Sequence, residues 1–243
     1  MKSKVPSVDS FGLAEGQRVA GRYIVLSLLG AGWEGEVYLV REIGTGIERT
    51  IKIFFPRRNL RDRSLRFYAR KLHKLRHCPI VIQYHTQDSF EFNGRKVSFL
   101  VSDFVEGELL SDFLKRQPGG RISPFQALHL LHALTTGIES IHRQGEYHGD
   151  LHTDNVIVMR YGLGFELKLL DMYHWGAPSA ANLRHDVHDL VRIFYDAVGG
   201  SRFYARQPQE VKDICCGLKR TLITRKFRTA GALRRFLETA EWE

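Results

Sequence analysis

Polar side chains are concentrated in one short stretch of the sequence, residues 147–158. Two histidines, two aspartates and one asparagine lie within eight positions there, and the stretch ends in a β-branched apolar run. Transfer of a phosphoryl group to a hydroxyl needs such groups, because a carboxylate must accept the hydroxyl proton and an oxygen ligand on the same turn must hold Mg²⁺. The composition therefore indicates hydroxyl phosphotransfer, and a polar β-turn between two elements is the alternative.

A glycine-rich hairpin occurs near the start of the chain. Residues 22–29 have the pattern of a strand, and a second strand pattern ends at Val40, with Gly30, Gly32 and Gly35 around the turn. Glycines leave room for backbone amides to approach phosphate groups. A strand follows these glycines, whereas the dinucleotide-binding fingerprint requires a helix at that position. The alternative is an ordinary glycine hairpin without a ligand.

Two charged residues lie within or directly after apolar strand patterns. Lys52 has β-branched apolar neighbours, and a buried ammonium group is costly unless it has an anionic partner. Alternation along the strand would instead place it on a solvent-exposed face. Asp171 follows the strand pattern 165–170, where an aspartate taken alone is more often a turn or cap residue. Its position across a hairpin from the polar stretch favours a role in the same site.

Together, these motifs resemble those of the protein kinase superfamily over most of the chain. The segment His148-Gly149-Asp150-Leu151, followed by Asn155, is similar to the catalytic loop His-Arg-Asp-Leu-x-x-x-x-Asn, with glycine in place of arginine. The form His-Gly-Asp-Leu-His also resembles the aminoglycoside and choline phosphotransferases, the small-molecule branch of that superfamily. The glycine hairpin matches the kinase glycine-rich loop, including the valine two residues after the third glycine.

The resemblance implies an α+β fold of two lobes. A small antiparallel β N-lobe with one helix is expected at 21–102 and a hinge at 103–108. A mainly helical C-lobe is expected at 109–243. Within this range, Ser123 as an N-cap and Pro124 at the first helical position predict the start of a helix. Residues 1–20, which are polar and contain glycine, are expected to form a flexible N-terminal extension to the kinase-like domain 21–243.

The resemblance also implies ATP and Mg²⁺ as cofactors and a role for each motif. Lys52 would hold the phosphates, Asp150 would orient and deprotonate the acceptor hydroxyl, and His152 would touch the γ-phosphate if protonated. Asn155 and Asp171 would carry Mg²⁺. The residues expected at the nucleotide are those of the glycine loop and of the hinge region: Gly30, Ala31, Gly32, Gly35, Val37, Asp103, Val105 and Glu108.

The sequence departs from the kinase pattern at the helix that follows Lys52. Tyr68 occupies the position of the glutamate that pairs with the lysine in the family, and no acidic residue lies between residues 64 and 87. Glu34, Glu36 or Asp171 could provide the missing carboxylate, and Tyr68 could offer a phenolic oxygen.

The segment after Asp171 is also shorter than in kinases that dock a peptide. Only fourteen residues separate it from Asp186, and no Ala-Pro-Glu element is present. We therefore predict that activity does not depend on phosphorylation of this segment, for example at Ser179. The resemblance implies that Asp186 bonds the backbone of the catalytic loop.

Most of the net charge of +9 lies in residues 57–76, which hold nine basic residues and one acidic residue. A basic helix predicts an acidic partner or only a solvated face, and sparse aromatic residues do not favour nucleic acid. Three cysteines without metal-ligand spacing fit a reducing cytoplasm. We expect no membrane segment, because no apolar run approaches the length of a bilayer span.

Three functions remain open from the sequence. The glycine loop and the C-terminal helices favour a serine/threonine protein kinase that transfers the γ-phosphoryl group of ATP to a protein hydroxyl. The His-Gly-Asp-Leu-His form and the short segment after Asp171 favour a small-molecule kinase. The missing helix glutamate and the basic helix favour a nucleotide-binding pseudokinase that acts as an interaction module.

Overall fold

The computed structural model describes residues 8–162, 164–173 and 176–240. This part of the chain forms two compact units. The first comprises the described residues up to Arg76 together with Ile82–Val105, and the second comprises His77–Val81 and the described residues from Glu106 onwards. The division after Val105 falls within the range 103–108 that was expected to form a hinge.

The short segment His77–Val81 differs from the expected lobe boundary, because it belongs to the second unit. Ile80 O accepts a hydrogen bond from Leu169 N at 2.8 Å, and Val81 forms a parallel bridge with Leu169. A Cβ atom on Gly137 would lie 2.2 Å from Cδ1 of Ile80, so the helix that carries Gly137 packs closely against this segment.

The first unit contains a six-stranded antiparallel sheet and one longer helix. The strand order is β1-β2-β3-β4-β6-β5. Alternation along the central strand β4 places Ile51 and Ile53 in the larger apolar core, whereas Phe54 packs with Leu65 and Tyr68 of helix α1. The bounds are β1 Arg18–Val19, β2 Tyr23–Ala31, β3 Gly35–Glu42, β4 Glu48–Phe54, α1 Arg63–Lys74, β5 Tyr84–Phe92 and β6 Arg95–Asp103.

Residues 8–20 pack against this sheet, so the prediction of a flexible extension over 1–20 is wrong for this part of it. Phe11, Leu13 and Val19 are buried in the apolar core. The ring of Phe11 stacks on Phe55 with centroids 5.4 Å apart. Polar and glycine residues dominate the segment, but its few apolar side chains are spaced to enter the core.

The second unit is mainly helical and includes a small antiparallel sheet of order β7-β8-β9. Ser123 caps the long helix α3 by accepting a hydrogen bond from Gln126 N, and the Gln126 side chain completes the capping box. This cap with Pro124 at the first helical position confirms the predicted helix start. The bounds are β7 Glu108–Leu109, α2 Leu110–Arg116, α3 Pro124–Arg143, β8 Val156–Tyr161, β9 Gly164–Leu169, α4 Ala180–Ala197, α5 Gly200–Tyr204, α6 Gln209–Cys215, α7 Arg220–Lys226 and α8 Ala230–Thr239.

A β-rich unit with one longer helix and a mainly helical unit agree with the predicted α+β fold. None of the helices in the described part of the chain has the length and apolar composition needed to cross a bilayer.

Candidate active site

The glycine hairpin joins β2 to β3 in the first unit. Gly32 N donates a hydrogen bond to Gly35 O at 2.9 Å, which closes the turn. A Cβ atom on Gly35 would lie 1.9 Å from Ile53 O, whereas a Cβ atom on Gly30 or Gly32 would meet nothing within 4 Å. Gly35 is therefore required by packing. Gly30 and Gly32 leave open space beside the backbone, as a phosphate-binding loop needs.

The Lys52 side chain has an acidic and an aromatic neighbour in the first unit. Its Nζ atom is 3.2 Å from Oε2 of Glu34, and the hydroxyl of Tyr68 donates to the same oxygen at 2.8 Å. Nζ also lies 4.4 Å from the centroid of the Tyr68 ring. The side chains of Lys52 and Glu34 are 15% and 21% exposed. The ammonium group thus has both an anionic partner and an aromatic face.

Local structure explains why these three residues meet. Tyr68 lies on the buried stripe of α1 with Leu65 and Leu72, so its ring is directed toward the sheet. Glu34 is held at the end of β4, because its carbonyl oxygen accepts a hydrogen bond from Phe55 N at 2.8 Å. In β4, Lys52 pairs with Val37 of the glycine loop.

Glu36 has a different role from the one considered in the sequence. It is buried, and its carboxylate accepts hydrogen bonds from Ser10 Oγ at 2.7 Å and from Phe11 N at 3.1 Å. The Tyr38 hydroxyl also donates to it. Burial and, secondarily, this hydrogen bond raise the pKa of Tyr38 to about 12. Of the two candidate partners in this unit, Glu34 pairs with Lys52 and Glu36 ties the N-terminal segment to the sheet.

The predicted nucleotide residues at the end of the first unit are Asp103 and Val105. The carboxylate of Asp103 pairs with Arg49 at 2.7 Å, and its amide donates to Gln83 O at 3.0 Å. Val105 is the last residue of the unit. A role for Asp103 in binding an adenine base would therefore rest on its carbonyl group rather than on its side chain or amide.

Asp186 fastens the catalytic loop in the second unit, as the resemblance implied. Its carboxylate accepts hydrogen bonds from His148 N at 2.7 Å and Gly149 N at 2.8 Å, and His142 Nε2 lies 2.9 Å from it. Burial works to raise the pKa of Asp186, but the bond from His142, the neighbouring imidazole of His148 and the two amides together hold the pKa below its usual value. Gly149 has φ = 85°, a conformation that favours glycine at the position of the family arginine.

The predicted base, Asp150, is held by its own backbone. Its amide donates to Nδ1 of His148 at 3.3 Å, and its carbonyl oxygen accepts from Nδ2 of Asn155 at 2.7 Å. The side chain of Asp150 is 52% exposed. The loop thus fixes the backbone on both sides of a carboxylate that an acceptor hydroxyl can reach.

His152 lies at the start of a short turn in the catalytic loop. Its Nδ1 accepts a hydrogen bond from Asp154 N at 3.2 Å and caps the 3₁₀ turn Thr153–Asn155. Its Nε2 lies 3.0 Å from Nδ2 of Asn155 and 3.8 Å from Oδ2 of Asp150. The ring therefore helps to position this turn, and its contact with the γ-phosphate stays a prediction.

Residues 170–173 run alongside the catalytic loop and bring Asp171 to it. Leu170 N donates to Asn155 O, Tyr173 N donates to His148 O, and His148 Nε2 donates to Leu170 O, each at 2.9 Å. Met172 is buried, as an apolar plug at this position should be. Asp171 has φ = 45°, a conformation that aspartate tolerates better than most residues.

Asn155 and Asp171 fit a hard divalent cation. Because the Nδ2 of Asn155 is committed to the loop, its Oδ1 is left as an oxygen donor without a hydrogen bond in the described structure. Within the described ranges, no group of three or more His, Cys, Asp or Glu is arranged to hold a metal. Two protein oxygens completed by phosphate oxygens and water are the donor set typical of Mg²⁺.

One residue near the site was missed from the sequence, and another has a partner that was not predicted. The carboxylate of Glu108, a residue expected at the nucleotide, pairs with Arg116, whose Nε is 2.9 Å away, and its contact with the nucleotide stays a prediction. Asp189 was not identified, although it lies one helical turn after Asp186 and bonds the backbone of Leu151. Burial and the neighbouring Asp186 raise the pKa of Asp189 to about 7. Its i, i+3 spacing from Asp186 could have revealed it.

The short segment before α4 has a structural role in the described structure. Ser179 is the N-cap of α4, with its hydroxyl accepting a hydrogen bond from Asn182 N at 3.3 Å. Tyr147 Oη donates to Gly176 O at 2.9 Å.

Comparison with known proteins assigns the family. The protein kinase domain model matches residues 23–205, so the chain belongs to the protein kinase family. It is 34% identical over 155 residues to the serine/threonine-protein kinase pkn2 of Myxococcus xanthus, which covers 62% of this chain and 18% of pkn2. It is 26% identical over 183 residues to the serine/threonine-protein kinase PrkC of Bacillus subtilis, covering 74% of this chain and 27% of PrkC.

The fold is also similar to that of a solved kinase domain. The crystal structure of the PknI kinase domain of Mycobacterium tuberculosis superposes with a TM-score of 0.65 and 21% identity, covering 93% of this chain and 98% of that one. The chain spans 18–27% of the length of the two curated relatives named above. The family and the fold predicted from the sequence are thus confirmed.

Proposed function

We propose that this chain is an ATP-dependent serine/threonine protein kinase. The observation that carries the proposal is the catalytic loop, in which Asp186 fastens the backbone while Asp150 stays exposed beside Asn155 and Asp171. This arrangement combines a proton acceptor with oxygen ligands for a cation, as phosphoryl transfer to a hydroxyl requires. The likeness to pkn2 and PrkC, both named as serine/threonine-protein kinases, supports a protein acceptor.

Each group of residues has a distinct task in the proposed reaction. The backbone at Gly30 and Gly32 covers the phosphates of ATP, and Lys52 binds their oxygens. Asp150 orients the acceptor hydroxyl and accepts its proton as the new oxygen–phosphorus bond forms. Asn155 and Asp171 would hold Mg²⁺, which when bound offsets charge on the phosphate oxygens.

The pair of Glu34 and Lys52 supports an active kinase over a pseudokinase. The feature that lowered the expectation of activity was the absence of the helix glutamate. A carboxylate 3.2 Å from the Lys52 ammonium supplies the same chemistry from another position in the chain. A small-molecule acceptor remains the second candidate, because only fourteen residues separate Asp171 from Asp186.

Two further observations support proposals about the cellular compartment and the partner of the protein. Buried Cys78 and Cys215 and half-buried Cys216 are free thiols, which supports a reducing cytoplasm. Helix α1 carries basic side chains over most of its length and no acidic residue, which supports an acidic partner at residues 57–76.

Replacement of the base tests the proposal. We expect Asp150→Asn to lower phosphate transfer from ATP to peptide and small-molecule hydroxyls by about 100-fold or more, since a general base contributes at least that factor. The matched control is Asp154→Asn, because Asp154 is an exposed carboxylate of the same loop, and it should stay close to the parent rate. Equal incorporation by the parent and Asp150→Asn, or none by either, would overturn the proposal. A preference for small-molecule acceptors would favour a small-molecule kinase over a protein kinase.

A further inference from the structure

A pocket of four arginines lies between helices α4 and α7 of the second unit. Its volume is about 550 Å³, and the residues that line it are Arg184, Arg220, Thr221, Thr224, Arg225 and Arg228. Three of the arginines are exposed, and Arg184 is half-buried. The side chains named here are thus arginines and threonines, whose aliphatic parts contribute to the walls and whose polar ends can donate hydrogen bonds.

The charges in this arginine pocket are not neutralised by the chain. None of the four guanidinium groups pairs with a carboxylate in the described ranges, whereas other arginines of the same unit do. Arg192 pairs with Asp196, and Arg234 pairs with Glu139. Four like charges around one cavity repel each other and create a positive potential that attracts anions.

The two helices that form the pocket are joined by a half-buried hydrogen bond. Nε2 of His188 on α4 is 2.8 Å from Oγ1 of Thr224 on α7. Burial lowers the pKa of His188, and Arg220, His185 and Arg184 lower it further. The His188 side chain next to the pocket thus experiences the positive potential of the arginines.

The arginine pocket is connected to the catalytic loop by consecutive residues of α4. Asp189 follows His188 and bonds the backbone of Leu151, the residue after the proposed base. The positive charge of Arg220 also acts on Asp189. A polypeptide that brings a hydroxyl to Asp150 could therefore place a nearby side chain in the pocket.

We propose that the arginine pocket binds an acidic segment of the protein substrate, so that hydroxyls close to carboxylates or phosphoryl groups are preferred acceptors. The proposal rests on the proposed kinase function. Guanidinium groups bind both kinds of anion with paired hydrogen bonds. The six lining residues include no aromatic side chain on which a nucleic-acid base could stack, which favours a polypeptide ligand.

Binding can be tested without catalysis. The probe is a fluorescent peptide with alanine at the acceptor position and four flanking glutamates, and fluorescence anisotropy measures its affinity for the whole chain. We expect Arg220→Gln/Arg228→Gln to weaken binding roughly tenfold, because two exposed charge contacts with the peptide are lost together. The control Lys96→Gln/Arg235→Gln removes the same charge outside the pocket and should change affinity by less than about twofold. An equal loss in both double variants would overturn the proposal.

Kinetic measurements distinguish this proposal from the function on which it rests. We expect the pocket variant to raise KM for serine peptides flanked by glutamate or by phosphoserine and to leave kcat/KM for a neutral peptide unchanged. The two flanked peptides show which anion is preferred. If the parent phosphorylated all peptides with equal KM, binding of acidic segments by the arginine pocket would be refuted and the kinase function would stand. Selective binding of acidic peptide with no phosphorylation of any peptide would retain the pocket and refute the function.

Discussion

The contact between Glu34 and Lys52 leads to the most direct test of whether Glu34 takes the place of the usual helix glutamate in this kinase domain. On the proposed function, Glu34→Gln removes the anionic partner of Lys52 and keeps the size and shape of the side chain. The ammonium group would then lose the charge of Glu34 and keep its contact with the face of the Tyr68 ring. We expect weaker control of the ATP phosphates and a lower kcat/KM for ATP.

The expected loss of kcat/KM in Glu34→Gln follows from the geometry of its ion pair with Lys52. Two unit charges 3.2 Å apart attract by about 5 kcal/mol at an effective dielectric constant of about 20. Loss of hydration and side-chain ordering offset most of this attraction. Both side chains are partly buried, so a net contribution of about 1–2 kcal/mol is reasonable, above that of exposed pairs. Glu34→Gln should therefore lower kcat/KM for ATP about 5- to 30-fold.

Two further variants identify the source of the effect. Tyr68→Phe keeps the ring next to Lys52 but removes the hydrogen bond to Glu34, which should cost about 1 kcal/mol, or about fivefold in kcat/KM. Tyr68→Glu restores a carboxylate at the helix position. In combination with Glu34→Gln, we expect it to recover activity to within about threefold of the parent, because the two changes act on the same ammonium.

Steady-state kinetics with varied ATP measure these effects, and thermal unfolding checks that each variant folds. Glu48→Gln is the matched control, since Glu48 begins the same strand as Lys52 and pairs with Arg41 on the surface. If Glu34→Gln retained at least half of the parent kcat/KM, or if Tyr68→Glu brought no recovery, a functional role for the Glu34 carboxylate would be refuted.

Two other predictions concern stability. Gly35→Ala forces a Cβ atom to within 1.9 Å of Ile53 O and should lower the free energy of unfolding by about 2 kcal/mol or more in urea titrations. A Cβ atom on Gly30 would meet no atom within 4 Å, so Gly30→Ala should lower ATP affinity and leave the free energy of unfolding within about 0.5 kcal/mol of the parent. Equal losses of stability in the two variants would contradict the assignment of Gly35 to packing and Gly30 to ATP binding. The pKa of Asp189 is raised to about 7 in the folded chain, above the unfolded value of about 4, so its contribution to stability is complete below pH 4 and is lost as pH rises to about 7. The stability of Asp189→Asn relative to the parent should therefore increase progressively across this pH range. A stability difference independent of pH would refute the raised pKa of Asp189.

The elements that were predicted correctly have local signals in the sequence. The helix start at Ser123 and Pro124 has a cap with a defined spacing. The contact of Asp186 with the catalytic loop depends on a helix position that recurs in the family, so the resemblance could supply it. In both cases the residue types and their spacing determine the contact.

The partner of Lys52 and the packing of the N-terminal segment had no such signal. Glu34 and Glu36 were both candidates for Lys52 within the first unit, and selecting Glu34 required the backbone contact of Glu34 with Phe55 N. The selection also depended on the burial of Glu36 against Phe11 N. Periodicity cannot show these contacts, because they join residues far apart in sequence through irregular backbone.

The position of Glu34 changes which element controls the lysine in this kinase domain. When the carboxylate lies on a helix, a shift of that helix breaks the ion pair directly. Here the Glu34 carboxylate belongs to the turn of the glycine loop, and α1 contributes the Tyr68 ring and a hydroxyl bond to Glu34. Loss of the Tyr68 hydroxyl bond through a shift of α1 would therefore cost about the energy of one hydrogen bond and would not by itself break the ion pair between Glu34 and Lys52. Order of the glycine loop, to which ATP itself contributes on the proposed function, thus becomes a condition for this ion pair.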